Sequence, residues 1–446
     1  MKVLKKGLVA LCILAIVNIV LIISLTKITG ISLIVLLLIS GLFYFFYSIF
    51  PGRISGHVNK SAEIRMQGLY GGCELILTAG AAFSGEVILY VIMLFRVSLR
   101  VMLLNAAAAV ALLFLLALQG VLRLLVFSRQ VKLVTKVLLF FTWWIPLVNL
   151  YFIVKARQQA RMEYEVEVHL QEMNQARREN SICQTRYPIL MVHGVFFRDW
   201  HYFNYWGRVP RELLRNGAQV FYGSQQSALS VKASAEELRD QIMEIIHETK
   251  CEKVNIIAHS KGGLDARYAI SILGMDAYVA SLTTIGTPHY GCAWVDKLLQ
   301  RLPVGLLNWV SVKYNRLFCK LGDREPDFYS AVYNLTREYA ECFNAEVKNK
   351  EDVLYQSVMS QMDSARSAPF PLNISYHIIK RQQGPNDGLV PVDAAKWGNY
   401  LGLVTVPGRR GISHGDMIDL NRENIRDFDI REFYIDLIKG LKNKGL

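Results

Sequence analysis

Lys253-Val-Asn-Ile-Ile-Ala-His-Ser260-Lys-Gly-Gly-Leu264 is an apolar run that breaks at Ala258, presents Ser260, and resumes with helical spacing at Leu264, Tyr268 and Ile272. The pattern predicts a strand, a sharp turn and a helix, with a serine hydroxyl lifted out at the bend. Such a bend has room only for small residues two positions either side of the serine, and Ala258 and Gly262 occupy them. Taken alone, the pentapeptide is equally what an ordinary strand-to-helix turn with Ser260 as N-cap would contain.

The residues downstream narrow that choice. A nucleophilic serine on this kind of turn is followed along the chain by an acid and then by a histidine. Of nine histidines, only His414 lies beyond residue 377. It falls in Arg410-Gly-Ile-Ser-His-Gly-Asp416, between the strand-like run Leu401–Val406 and a helical pattern over Ile430–Leu441. Ile374–Lys380 reads as a strand, and the turn Gly384-Pro-Asn-Asp-Gly388 after it offers Asp387 as the acid, with Asp393 as the alternative. Asp387 would then orient His414, and His414 would take the proton from Ser260.

Upstream, Tyr187-Pro-Ile-Leu-Met-Val-His193-Gly194-Val195-Phe196 reads as a buried strand ending in His-Gly. The backbone N–H groups of Val195 and Lys261 are the expected donors to an oxyanion, with His193 a hydrogen-bonded structural residue. Val220–Gly223 and Ser281–Ile285 read as further strands, and Ser234-Ala-Glu-Glu237 as a capping box opening an amphipathic helix through His247. Strands separated by helices predict a doubly wound, mostly parallel sheet: an α/β-hydrolase domain over residues 187–446.

In these motifs the chain resembles the bacterial triacylglycerol lipases of the Pseudomonas/Burkholderia type. The matching pieces are His193-Gly194, Ala258–Gly263 with Arg267-Tyr268, and Thr284-Ile-Gly-Thr-Pro-His-Tyr-Gly291. Leu335-Thr336, Phe343-Asn344, Asn386–Val390 and His414-Gly415-Asp416 follow in the family's order, so the resemblance covers about 187–420. It implies Ser260 as nucleophile, Asp387 as acid, His414 as base, and a lid insertion over about 290–345 between the strands at Ile285 and Ile374. Leu302–Trp309 with Pro303 and Gly305 as hinges, and Leu317, Phe318 and Leu321 beyond, would form that cover. The resemblance also implies a structural calcium held by Asp416 and Asp363, although Leu420 stands where the family has a loop-ordering glutamine. The triad chemistry itself requires no cofactor, and no Cys/His spacing suggests zinc.

The first 155 residues have a different character. Gly7–Leu25, Ile28–Phe50, Cys73–Phe95, Val101–Phe127 and Val137–Val154 each approach or exceed the roughly 20 apolar residues that cross a bilayer. They predict a polytopic helical membrane domain of five spans over 1–155, with a charged connector helix over 156–186. Most of the net charge of +13 resides here, since residues 1–154 hold thirteen Lys/Arg against three Asp/Glu, which argues against nucleic acid as a partner. With five spans one side receives Lys2, Lys5, Lys6, Arg53, Lys60, Arg65, Arg123, Arg129, Lys132 and Lys136, and the other Lys27, Arg96 and Arg100. The first side is cytoplasmic by the positive-inside rule, and an odd number of spans puts the hydrolase domain outside the cytoplasm. Lys155, Arg157 and Arg161 then sit on the wrong side, and the five cysteines between Cys183 and Cys342 cannot all pair internally.

The expectation is a multi-pass membrane serine hydrolase acting on carboxylic esters of lipids, with an acyl ester and the bilayer as partners. Two alternatives stand beside it. One is an acyltransferase using the same triad; the other is a transport or sensing module, for which Glu86 in mid-span is the notable residue.

Overall fold

The computed structural model describes residues 2–54, 64–177, 180–195, 205–226, 228–320 and 322–446, so Lys60, Phe196 and Leu321 lie outside the described residues. The chain divides into two compact units, Met1–Met173 and Asn174–Leu446.

Unit 1 is helical: α1 (Lys2–Val17), α2 (Ile19–Thr26), α3 (Gly30–Ile49), the short α4 (Pro51–Ile54), α5 (Ile64–Met93), α6 (Leu99–Phe127), α7 (Leu133–Phe141) and the start of α8 (Pro146–Arg177). Among the described residues α3, α5 and α6 are long and apolar enough to cross a bilayer, and α1 with α2 make a fourth candidate bent by 67°. The fifth predicted span is not one continuous helix. Val137–Val154 breaks at Thr142–Ile145, because Pro146 has no N–H to continue the ladder and biases the preceding residue out of helical geometry. A side chain takes up a carbonyl at the break: Asn149 Nδ2 donates to Leu139 O, while Leu138 O keeps the Thr142 N–H and also accepts Thr142 Oγ1. Neither fragment alone has the length of a span, and the predicted connector begins inside a helix already running from Pro146.

The bend between α1 and α2 explains Glu86. Asn18 at the break donates to Glu86, Asn105 Nδ2 donates to Asn18 Oδ1 (2.8 Å), and Asn105 Oδ1 accepts the Leu21 N–H freed by the bend (3.2 Å). Three polar side chains from three helices satisfy one another where each alone would be costly in an apolar setting. Charged residues gather elsewhere: Lys6 of α1 and Arg161 of α8 both lie against Glu74 of α5, at 2.6 and 3.7 Å.

Among its described residues unit 2 holds six parallel strands: β1 (Ile189–Val192), β2 (Val220–Tyr222), β3 (Val254–His259), β4 (Val279–Ile285), β5 (Leu354–Ser360) and β6 (Asn399–Val404). Their spatial order is β2-β1-β3-β4-β5-β6. β1, β3 and β4 are buried at every residue, so they read as continuous apolar runs, whereas edge strand β6 is exposed at alternate residues. The helices are α9 (Val209–Arg215), α10 (Val231–Thr249), α11 (Gly262–Ser271), α12 (Ala293–Arg301), α13 (Val304–Lys320), α14 (Phe328–Tyr333), α15 (Arg337–Glu346), α16 (Leu372–Gln383) and α17 (Ile430–Asn443). One sheet face packs Ile189, Met191 and Ile257 against Trp206, Leu213, Tyr434 and Ile438; the other packs Leu190, Val192 and Ile256 against Leu238, Ile242 and Ile270.

Three predicted elements differ. Ile374–Lys380 is helix, part of α16, because of its alternating apolar residues only Tyr376 is buried and Ile379 joins it one turn on. The strand before the acid is β5. Helix α10 begins one turn before the predicted capping box, with Ser230 accepting from Ala233 N, while Ser234 lies inside it. Gly305 lies in the first turn of α13 rather than at a break, although Pro303 does sit at the α12–α13 break. No residue of α13 is buried, and Val304, Trp309, Val312 and Leu317 are all more than half exposed.

Candidate active site

The strand order reverses direction between β1 and β3, and in open parallel sheets ligands bind beyond the carboxyl ends of strands at such a switch point. β1 and β3 run in register there, Val192 opposite Ala258. His193-Gly194-Val195 and Ser260 therefore emerge side by side. Ser260 adopts φ +55°, a left-handed conformation that costs a serine of order 1 kcal/mol, and its N–H donates to Ile285 O (2.9 Å) while Thr287 Oγ1 donates to its carbonyl (2.7 Å). A side chain at Gly262 would meet His193 O at 2.4 Å, and one at Gly194 would meet the Ser260 Cβ at 2.8 Å. The close approach of the two strand ends thus depends on glycine.

Asp387 and His414 are brought together from 27 residues apart. His414 Nδ1 lies 2.6 Å from Asp387 Oδ2, the Asp387 carbonyl accepts His414 N–H (2.9 Å), and Asp387 is wholly buried. The second carboxylate oxygen accepts from Leu389 N (2.9 Å) and Val390 N (2.8 Å), so the acid is held as an acceptor at every contact. Asp393, the alternative acid, is instead solvated and paired with Lys396. Among the described residues no hydrogen bond joins Ser260 Oγ to His414; bonds of this kind often tighten only when substrate is bound. The residue before the serine does touch the imidazole: the His259 and His414 rings are 4.3 Å apart. The N–H groups of Val195 and Lys261 donate to no acceptor among the described residues, leaving two adjoining backbone donors available to a substrate oxygen.

Sequence reasoning missed Tyr205. Its hydroxyl accepts from Gly194 N–H (3.1 Å) and shares a hydrogen bond with His259 Nδ1 (2.7 Å), tying the loop after β1 to the residue beside Ser260. Nothing in the neighbourhood of Tyr205 in sequence signals this. Burial, then the adjacent His414, lowers the His259 pKa far below the usual imidazole range, so His259 is neutral. His193 hydrogen-bonds the carbonyls of Gly194 and Gln225 and is structural.

Two buried cations flank the serine helix. Lys261 Nζ pairs with Asp265 Oδ1 at 2.7 Å and reaches Ser234 Oγ at 3.0 Å. Burial lowers the Lys261 pKa and pushes Asp265 up to about 6, each only partly offset by the partner's charge. Arg267 has no carboxylate; it lies over the Trp397 ring, 3.7 Å from its centroid, and donates to His289 Nδ1, Asn344 Oδ1 and Val347 O. Burial lowers its pKa to about 9. Arg267, His289 and Asn344 come from three of the family-like motifs, and their role is to lock β4 and α15 against α11.

Asp416 and Asp363, the expected calcium ligands, are each engaged by other partners. Both Asp416 oxygens accept from Arg410, Nη1 to Oδ2 at 3.0 Å and Nη2 to Oδ1 at 3.2 Å, and Oδ2 also accepts Ser413 N–H. Asp363 is engaged separately by Gln361 Nε2 (3.0 Å). No cluster of three or more His, Cys, Asp or Glu suited to a metal occurs among the described residues.

A strained serine at a sheet switch point, a buried carboxylate–imidazole pair and two free amides define the class of site that serine-nucleophile α/β-hydrolases carry. The family model described as "Putative serine esterase (DUF676)" matches residues 189–369. The triacylglycerol lipase of Vibrio cholerae is 37% identical over 128 residues, 28% of this chain and 40% of that protein. Triacylglycerol lipase 2 of Saccharomyces cerevisiae is 30% identical over 266 residues, 54% of this chain and 74% of that protein. The crystal structure of Staphylococcus hyicus lipase covers 58% of this chain and 97% of its own, at 17% identity and a TM-score of 0.46. The chain spans about half the length of several of the curated relatives it matches, 40%, 55% and 49% of three bacterial lipases. The chain belongs to the triacylglycerol lipase family.

Proposed function

We propose that the chain is a membrane-bound serine hydrolase that cleaves carboxylic esters of lipids. Ser260 Oγ attacks the acyl carbonyl as His414 Nε2 takes its proton, and Asp387 holds the Nδ1–H of the resulting imidazolium. The developing oxyanion rests on the amides of Val195 and Lys261. His414 then protonates the departing alcohol, and a water activated by the same imidazole releases the acid and regenerates Ser260. The observation that carries this reading is the buried 2.6 Å His414–Asp387 contact beside a left-handed serine. The exposed apolar residues of α13 support its role as the lid that meets lipid.

The test is product analysis. Detergent-solubilised full-length chain, given a mixed-chain triacylglycerol, is expected to release free fatty acid and to react with a fluorophosphonate. Release of no acid, but acyl transfer to an added alcohol, would replace hydrolase with acyltransferase.

The pairing in unit 1 supports a cytoplasmic hydrolase unit, the reverse of the five-span expectation. Lys6 lies near the start of the first candidate span and Arg161 follows the last, yet both meet Glu74. The chain therefore crosses an even number of times, with the bent pair, α3, α5 and α6 as four spans. Lys155, Arg157 and Arg161 then join the cation-rich side, which is cytoplasmic. Cys319 and Cys342, both exposed free thiols, are expected to react with a membrane-impermeant maleimide only after cells are permeabilised. Labelling of intact cells would restore the extracytoplasmic orientation.

A further inference from the structure

We infer that the Arg410 guanidinium takes the place of a bound cation in holding the His414 loop, so that this chain positions its base without calcium. The inference rests on His414 acting as the base.

Arg410 lies between the two aspartates that would otherwise bracket a metal. Its carbonyl accepts Asp363 N–H (3.2 Å) and the Ser367 hydroxyl, and its guanidinium donates to both oxygens of Asp416. A planar guanidinium matches a carboxylate with two parallel bonds, so one residue supplies positive charge and direction together. The Asp416 side chain is only 4% exposed, so this charge has little water to fall back on. What Asp416 does with its ordered position bears on the imidazole. Its Oδ2 accepts the N–H of Ser413 (2.9 Å), and its own N–H donates to Ser413 O (3.0 Å). Ser413 is thereby clamped one residue before His414, while the His414 N–H is tied to the Asp387 carbonyl on the other side. Ile412 N donates to Gln361 O (2.6 Å), which fixes the start of the loop to the end of β5. Leu420, in the place of the family's glutamine, gives its N–H to Gly415 O and offers no side-chain ligand.

Arg410 is thus a positioning residue acting on His414 through Asp416 and Ser413. Its loss frees the imidazole from its angle toward Ser260 while leaving Ser260 and the amides of Val195 and Lys261 untouched. Outer-shell partners of this sort cost about 10- to 100-fold when removed.

The full-length chain in detergent is assayed with a soluble short-chain ester, with calcium and with a chelator, and its thermal unfolding is recorded in both. Wild type is expected to give the same rate and the same midpoint in each. Arg410→Ala is expected to lower kcat about 10- to 100-fold at near-constant KM, with partial recovery in millimolar guanidinium chloride and none in calcium. Arg410→Lys, which keeps charge but loses the two-pronged bond, is expected to fall between and serves if the alanine variant does not fold. A calcium-dependent rise of the wild-type midpoint would overturn the inference, as would wild-type kcat in Arg410→Ala or Arg410→Lys. The unfolding comparison needs no turnover, so a chain inert toward every ester would sink the hydrolase reading while calcium dependence was still decided separately.

Discussion

Ser260→Ala is expected to abolish fluorophosphonate labelling and to lower kcat for ester hydrolysis about 10⁶-fold, the scale seen when one member of a cooperating triad is removed. The size follows from the roles assigned. Without Oγ there is no atom to form the acyl-enzyme, and the Asp387–His414 pair has no proton to accept. What remains is the two amides and whatever binding the pocket provides. The fold is expected to persist, because the hydrogen bonds at this position use the Ser260 backbone, its N–H to Ile285 O and its carbonyl from Thr287. Thermal unfolding near the wild-type midpoint checks that the loss is chemical. Equal labelling of the two proteins would end the assignment of this serine.

Asp387→Asn is expected to cost about 10⁴-fold in kcat, with KM little changed. The carboxylate is an acceptor on both oxygens, Oδ2 from His414 Nδ1 and Oδ1 from the Leu389 and Val390 amides. An asparagine can keep only one of these as an acceptor. If its carbonyl stays with the two amides, its NH₂ faces His414 and holds the imidazole with its proton on Nε2, the tautomer unable to take a proton from Ser260. Asp393→Asn is the matched control. Its carboxylate is 82% exposed and pairs with Lys396 in solvent, where such pairs are worth little, so a change below about twofold is expected. If Asp393→Asn proved the more damaging, the acid would have to be reassigned.

Much of the site was legible because its pieces are local. The β3–Ser260–α11 turn is written in twelve consecutive residues, and the order serine, acid, histidine leaves His414 no competitor. The misreadings share a cause. Ile374, Tyr376 and Ile378 alternate as a strand would, but burial chose Tyr376 and Ile379 instead. β5, with Gln356, Ser357 and Ser360 inside it, carries no continuous apolar run to mark it as a core strand. In the fold Ser357 Oγ donates to Trp397 O, and Gln356 accepts from the Thr283 and Thr284 hydroxyls of β4, so these two are tied into the sheet, while Ser360 Oγ is buried with no partner among the described residues. In unit 1 apolar content alone suggested a fifth span, although Pro146 stood in the middle of it.

The sequence by itself determined the local elements, the reactive serine turn and the split between an apolar, cationic third and an α/β domain, because propensity and periodicity act over a few residues. Only the tertiary structure decided which acid meets His414, that Tyr205 braces the loop after β1, that Arg410 occupies Asp416, and that Lys6 and Arg161 share Glu74. Each of these joins residues far apart along the chain or chooses among equivalent partners, and burial and hydrogen-bond geometry make that choice only once the chain has closed on itself.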